Sequence, residues 1–281
     1  MGVSEKIELL GKGLYENIPD VLTLKSIPTA SELDYVGAED FETTMLKNIF
    51  PKAIEDGEKM DFSKLLEIDF HWICRALRLL NYGPYYTTNM IVCPNCGAVH
   101  GDTRVDLRNI GVKELPEGFI NSITISKNEF IDFNEDIVLH LPTIQEMLNA
   151  RNDKLFQDQM GRTNIELARK CYMITSIGNR KNIPPVDVKY TIQNVLTPAD
   201  YVIFKNVSDS LIDYGLRYGG YTRCPKCKSE EAAFAALVSD KFFRPTMGDL
   251  RAWRDDRADG KRSEANKDTT AVTTGLVRKN S

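Results

Sequence analysis

The chain has 281 residues, enough for one large domain or two smaller ones with cores of their own. It is 42% apolar and 27% charged, as a soluble globular protein is, and its net charge of −4 (pI about 5.6) argues against wholesale coating of nucleic acid. No apolar run approaches the ~20 residues that span a bilayer, the opening "MGVSEKIELLGKG" lacks a signal-peptide core, and Lys6 breaks the myristoylation pattern, so a cytosolic chain with no membrane partner is expected.

Residues 1–20 read as an N-terminal arm. From Val21 an apolar strand runs into Pro28-Thr29, where Thr29 and Glu32 fit a capping box that starts a helix. "DFHWICRALRLLNYG" then predicts a helix with Asp69 as N-cap. Phe70, Ile73, Cys74, Leu77 and Leu80 fall on one face of it, and Gly83 ends it. Ten residues on comes "CPNCGAVH", with Cys93 and Cys96 at the tip of a hairpin whose first arm is "TTNMIV". "DTRVDL" reads as a following strand.

The same order returns. "DIVLHLPTIQEMLNA" is again an apolar strand, Pro-Thr and a helix, with Thr143 and Glu146 as the capping box. "DYVIFKNVSDSLIDYG" predicts a second helix from Asp200 to Tyr-Gly, its stripe weakened by Ser208 where Leu77 stood. Nine residues after Gly215 stands "CPKCKSEE", with Cys224 and Cys227, then a strand in "AAFAAL". The offset grows from 114 at Thr29/Thr143 to 131 at Cys93/Cys224, so the second copy carries an insertion. It is placed in "FQDQMGRTNIELARKCYMITSIGNRKNIPP", with its own capping box at Thr163–Glu166. The expected fold is α+β and internally duplicated, with helix-dominated halves that each end in a Cys-x-x-Cys zinc-knuckle hairpin. The first repeat is 21–110, the second 111–245, and 246–281 is a charged tail.

Each repeat supplies two thiolates, and a structural zinc is held by four ligands at the corners of a tetrahedron. The reading is therefore one structural Zn²⁺ on Cys93, Cys96, Cys224 and Cys227. Such a site can supply ~10–16 kcal/mol of apparent binding energy. A redox dithiol and uncommitted thiols are the alternatives. Thioredoxin-like pairs sit between a strand and a helix, and these pairs do not. Cys74 and Cys171 lie in apolar helical patterns and read as core. His100 reads as a surface histidine rather than a fifth candidate ligand, and His71 and His140 have no evident partner. No His-Glu-x-x-His, Walker loop or Gly-x-Ser-x-Gly elbow occurs, and four Cys ligands leave zinc no open position, so no catalytic residue is assigned and a non-enzymatic protein is expected.

These elements resemble the baseplate hub assembly proteins of T-even-like contractile-tailed phages. The features that carry the likeness are the helix ending in Tyr-Gly, the knuckle at Cys93, Pro94, Cys96 and Gly97, Val105–Leu107 after it, "LPTIQEM", and a second Cys-x-x-Cys near the C-terminus. The likeness covers roughly Val21 to Pro245, and Lys228 departs from it where a Gly is expected, which weakens the second knuckle. It implies a structural or assembly protein of the tail baseplate, acting through protein–protein contacts. Its partners would be other tail and baseplate proteins, with tail tube and tape-measure components among the candidates. It would work in the host cytoplasm during assembly or in the virion baseplate, with no small-molecule substrate.

A zinc-ribbon nucleic-acid-binding factor is the alternative class. Tyr85, Tyr86, His100, Arg104, Arg223, Lys226 and Lys228 around the knuckles form only a thin basic set for it, and the acidic balance disfavours nucleic acid as partner.

From Arg251 the tail carries eight Lys/Arg against five Asp/Glu, a net of +3. "TMGDLRAWRDDRADG" predicts one short helix, with Leu250 and Trp253 on one face. The remainder beyond about Gly260 is too polar to order itself. Phe242, Phe243, Leu250 and Trp253 are expected to dock on another protein.

Overall fold

The computed structural model describes residues 4–27, 31, 40–88, 91–100, 103–217, 219–222, 224, 226–229, 232–235 and 240–258. It has mixed α+β architecture, with two hydrophobic clusters packed side by side.

The first cluster begins at the first described residues. β1 (Ser4–Glu8) runs antiparallel to β2 (Val21–Lys25), and Ile7, Leu9, Ile18, Leu22 and Leu24 are all buried. Residues 4–20 are therefore part of the core rather than an arm, because alternate apolar side chains on both strands face inward. The Thr29–Glu32 capping box lies outside the described residues. α1 (Phe41–Thr44) is capped by Asp40, which accepts from the Thr43 amide, and continues through a π-helical turn (Met45–Ile49) into α2 (Phe50–Ala53). The Glu55 amide donates to the Thr23 carbonyl (2.9 Å), and Leu24 bridges to Ile54. The side of β2 turned away from β1 is thus closed.

α3 (Glu67–Tyr82) crosses this layer. Phe70, Ile73, Cys74 and Leu77 are fully buried, as the periodicity predicts, and each such side chain contributes about 1.5–3 kcal/mol. The helix starts before Asp69. Leu66 is the N-cap, and Asp69 is the third helical residue, buried, where it accepts the amides of Leu10 (2.6 Å) and Gly11 (3.0 Å) and the Tyr15 hydroxyl. The predicted cap is displaced because this carboxylate serves a neighbouring loop rather than its own helix end.

A hairpin follows α3. β3 (Tyr85–Thr88) pairs with β6 (Thr103–Asp106), and nearer the tip β4 (Ile91–Val92) pairs with β5 (Val99–His100).

β7 (Val112–Lys113) leads to the second cluster. There β8 (Ile123–Ile125) and β9 (Ile137–Leu139) form another antiparallel hairpin. α4 (Ile144–Asn152) has the predicted capping box, with Thr143 and Glu146 bonded reciprocally. α5 (Ile165–Tyr172) is capped by Asn164. Thr163, the predicted cap, instead donates to the Arg151 carbonyl. β10 (Ile174–Ile177) and β11 (Arg180–Lys181) extend the sheet in the order β11-β10-β9-β8. α6 (Pro185–Tyr190), a π-helical turn (Thr191–Val195) and α7 (Pro198–Ile212) complete this layer. Thr197 caps α7. Asp200 is again the third helical residue, again buried, and accepts the amides of Ile131 (2.6 Å), Asp132 (3.3 Å) and Phe133 (3.1 Å).

β12 (Gly215–Leu216) pairs with β7, which returns the chain to the first cluster. β13 (Gly219–Thr222) and β14 (Ala232–Ala235) form a last hairpin, and a final helix, α8, spans residues 247–258. Among the described residues no helix is long and apolar enough to cross a membrane.

Candidate metal centre

The two Cys-x-x-Cys loops are built by the same backbone device. In the first, the Cys93 amide donates to the Ala98 carbonyl (3.0 Å) and the Gly97 amide to the Cys93 carbonyl (2.8 Å), with Gly97 left-handed at φ 64°. In the second, the Cys224 amide donates to Ser229 (2.6 Å) and the Lys228 amide to Cys224 (2.9 Å), with Lys228 at φ 63°. The fifth position must turn back on the first cysteine, and that turn needs a positive φ. Lys228 takes it despite its side chain, so the departure from Gly alters the energy of this loop and not its shape.

Strand pairing brings the loops together. β14 pairs with β4, with Ala233 opposite Val92 and Phe234 opposite Ile91, so the two hairpins form one sheet in the order β13-β14-β4-β5. All four sulfurs lie within 4.8 Å of one another. Cys93 Sγ is 3.6 Å from Cys227 Sγ, and Cys96 Sγ is 3.8 Å from Cys224 Sγ. Four sulfurs at ~2.3 Å from one ion stand about 3.8 Å apart at tetrahedral corners, so the cluster could hold a metal ion. Cys93 and Cys224 are buried, and Cys96 and Cys227 are half-buried at the rim. Among the described residues this is the one group of three or more Cys, His, Asp and Glu side chains close enough to share an ion.

Neighbouring donors point at the sulfurs. The Cys227 amide faces Cys224 Sγ at 3.5 Å, and Asn95 Nδ2 faces Cys227 Sγ at 3.7 Å. Such outer contacts stabilise thiolate charge and fix ligand orientation. The crowded thiols titrate apart. The Ser229 amide draws Cys227 below its ordinary value. At Cys96 the Ala98 amide acts in the same direction, but burial and the three neighbouring thiols outweigh it and push the group up to about 11. Of His100 only the backbone is described, paired with Ile91 in the hairpin.

Cys74 and Cys171 lie apart from this group and are buried in the two cores, as expected. Burial raises the Cys74 thiol well above its ordinary value and pushes Cys171 up to about 12, which leaves both as inert core residues. His140 follows β9, its ring between the carbonyls of Leu141 (3.0 Å) and Tyr172 (3.1 Å), and His71 lies within α3, 3.8 Å from Glu67.

Of the four residues expected to dock on another protein, Phe242 and Phe243 are buried in this chain, and Leu250 and Trp253 are half-buried. Phe242 and Phe243 are 1% and 2% exposed, inside the first cluster. Phe242 packs on Tyr86, and Phe243 on Phe41 and Tyr82. Trp253 lies over Gly83, where φ is 75° and a Cβ would stand 2.3 Å from the indole, so Gly83 both ends α3 and makes room for the ring. Leu250 is half-buried beside it. The correction has a polar cause. Arg78, fully buried, donates to the carbonyls of Phe242 (2.8 Å), Gly83 (2.6 Å) and Tyr85 (2.6 Å). Asp249, 1% exposed, accepts from the Thr246 amide (2.9 Å) and the Thr87 hydroxyl (2.8 Å), with Arg104 3.5 Å away. These groups hold residues 242–258 against the hairpin that carries Cys93 and Cys96.

Sequence reasoning missed Arg78 and Asp249. The signals were present: Arg78 stands four residues after Cys74 on the buried stripe, and Thr246-x-x-Asp249 has capping-box spacing. The rest of the tail, from residue 259, lies outside the described residues.

The chain matches no protein-family model, no curated protein and no solved structure.

Proposed function

We propose that the chain is a non-enzymatic, internally duplicated protein of the phage tail baseplate, structural or acting in assembly, whose two halves are joined by one structural zinc. The observation that carries the zinc reading is the four-sulfur cluster, to which each half contributes two ligands across the β14–β4 pairing. Thiolates favour zinc, and four of them leave the ion no position for substrate.

The duplication is supported by features that sequence spacing alone did not supply. Each half has an antiparallel hairpin, β1–β2 or β8–β9. The loop of each hairpin is bound through backbone amides by the third residue of a later helix, Asp69 or Asp200. Each helix leads to a positive-φ glycine, Gly83 or Gly215, and then to a Cys-x-x-Cys loop with a left-handed fifth residue. The baseplate assignment rests on the resemblance described above.

Metal analysis of the purified chain, with binding to isolated tail and baseplate intermediates of a contractile-tailed phage, tests the proposal. One zinc per chain and co-sedimentation with those intermediates are expected. Salt-sensitive binding to unrelated DNA, with no co-sedimentation, would instead favour the nucleic-acid reading, for which exposed Lys226 and Lys228 beside the second loop are the structural basis.

A further inference from the structure

The first hairpin has an open edge. β1 pairs with β2 and with no other strand among the described residues. In an antiparallel pair, alternate residues turn both backbone polar groups toward the partner or away from it. The Leu9 amide donates to Asp20 across the hairpin (2.8 Å), which puts Leu9, Ile7 and Glu5 in the inward-bonding set. Ser4, Lys6 and Glu8 therefore direct N–H and C=O outward. The Trp72 indole N–H confirms this by reaching the Glu8 carbonyl (2.9 Å) from the far side. With the Glu8 carbonyl taken by Trp72, the outward groups left for another strand are those of Ser4 and Lys6 and the Glu8 amide, and such edge groups are templates for strand addition.

That edge forms one wall of a cleft of ≈ 920 Å³. Ala76, Leu79, Leu115 and Phe119 supply its apolar lining. Its rim is acidic. Glu5, Glu8, Glu114 and Glu117 stand there against Lys6, Lys12 and Arg75, a net of −1, with Lys12 paired to Glu8 (2.7 Å) and Arg75 turned toward the Leu107 carbonyl (3.2 Å) and stacked on Trp72. In the second hairpin the edge strand β8 is shorter, with three residues against five in β1.

We propose that the outer edge of β1 binds an extended segment of another protein as a third strand, one in which apolar side chains facing Leu79 and Phe119 alternate with basic side chains facing the glutamate rim. The main chain supplies affinity in this mode, and alternate side chains supply selectivity. This goes beyond the metal and baseplate reading and does not depend on it.

The test uses the full chain and a capped hexapeptide, Lys-Val-Lys-Val-Lys-Val, titrated by calorimetry, with amide exchange followed on β1. Binding to the wild type with new protection at the Lys6 and Glu8 amides is expected. Lys6→Ala should retain binding. Lys6→Pro removes one outward N–H, leaves the bonds to β2 intact, and should weaken binding at least about ten-fold relative to Lys6→Ala. The same peptide N-methylated at alternate residues should fail to bind the wild type, a control that stands even if Lys6→Pro does not fold. No binding by the wild type, equal affinity for the Lys6→Pro and Lys6→Ala proteins, or equal binding of the N-methylated peptide would overturn strand addition. Concentration-dependent dimers lost in Lys6→Pro, or tighter binding by a peptide of residues 261–281, would assign the edge to a second copy or to the chain's own tail and overturn the foreign partner.

Discussion

Asp69 in α3 and Asp200 in α7 are placed alike, yet their protons respond in opposite ways. Each is the third residue of a long helix, each is buried, and each receives the amides of a hairpin loop. At Asp69, burial is the largest influence and raises the group above its ordinary value, against the opposing bonds from Tyr15, Leu10 and Gly11. At Asp200, burial pushes the same way, but the amides of Ile131, Asp132 and Phe133 and the Thr197 hydroxyl outweigh it, and the group falls below its ordinary value. Each carboxylate also has one hydroxyl donor, Tyr15 or Thr197, so the third amide at Asp200 and the nearby Asp20 charge at Asp69 are what separate the two directions. The clusters differ in closure too. The first cluster is sealed by Phe242 and Phe243, held by Arg78 of α3, and the second by the consecutive segment from β10 to α6.

The largest expected effect joins the halves. Cys224→Ser should remove the bound metal and lower the melting temperature by about 10 °C or more, with faster amide exchange in both the β3–β6 and the β13–β14 hairpins. Exchange confined to the second hairpin would refute a shared ion. Chelation of the wild type should reproduce the result, as should mild acid, which protonates thiolate ligands.

Arg78→Ala should act on the first half alone. It strips three buried carbonyls of their donor and should cost about 3 kcal/mol. Residues 242–258 should then gain exchange and protease sensitivity while β8–β11 stay protected. Equal loosening of both halves would mean that the two clusters are one cooperative unit.

Asp69→Ala should cost about 2–4 kcal/mol in denaturant unfolding, since the Leu10 and Gly11 amides and the Tyr15 hydroxyl lose their acceptor. The native pH dependence should separate the two aspartates. The folded state holds the Asp69 proton more tightly than the unfolded state does. Stability linked to Asp69 is therefore full below the ordinary carboxylate value and falls as pH rises through the raised one. Stability linked to Asp200 is present above the ordinary value and is lost as pH falls through the depressed one. Carboxyl-carbon NMR titration should show the two midpoints on opposite sides of that value, and a shared direction would remove the contrast.

The smallest effect compares the two loops at their fifth residues. Lys228→Gly relieves a left-handed lysine and should stabilise by about 0.5–1 kcal/mol, whereas Gly97→Ala should destabilise by a similar amount. A Cβ at Gly97 meets no atom within 4 Å, so backbone strain is the only expected cost. Metal stoichiometry should not change in either variant.

The sequence by itself determined the local features. The Thr143–Glu146 capping box, the buried stripe of α3, the hairpin arms around Cys93 and the four clustered cysteines could all be read from spacing, because each depends on residues a few positions apart or on a metal's known ligand number. Only the tertiary structure decided the rest. Asp69 and Asp200 read as helix caps, and their real partners are loops 58 and 69 residues away. Residues 4–20 read as an arm and Phe242 and Phe243 as a docking surface, yet both segments are core. A polar or aromatic residue shows its type in sequence but not its partner. Which buried amide, carbonyl or ring it meets is fixed only when distant segments close around it and water is excluded.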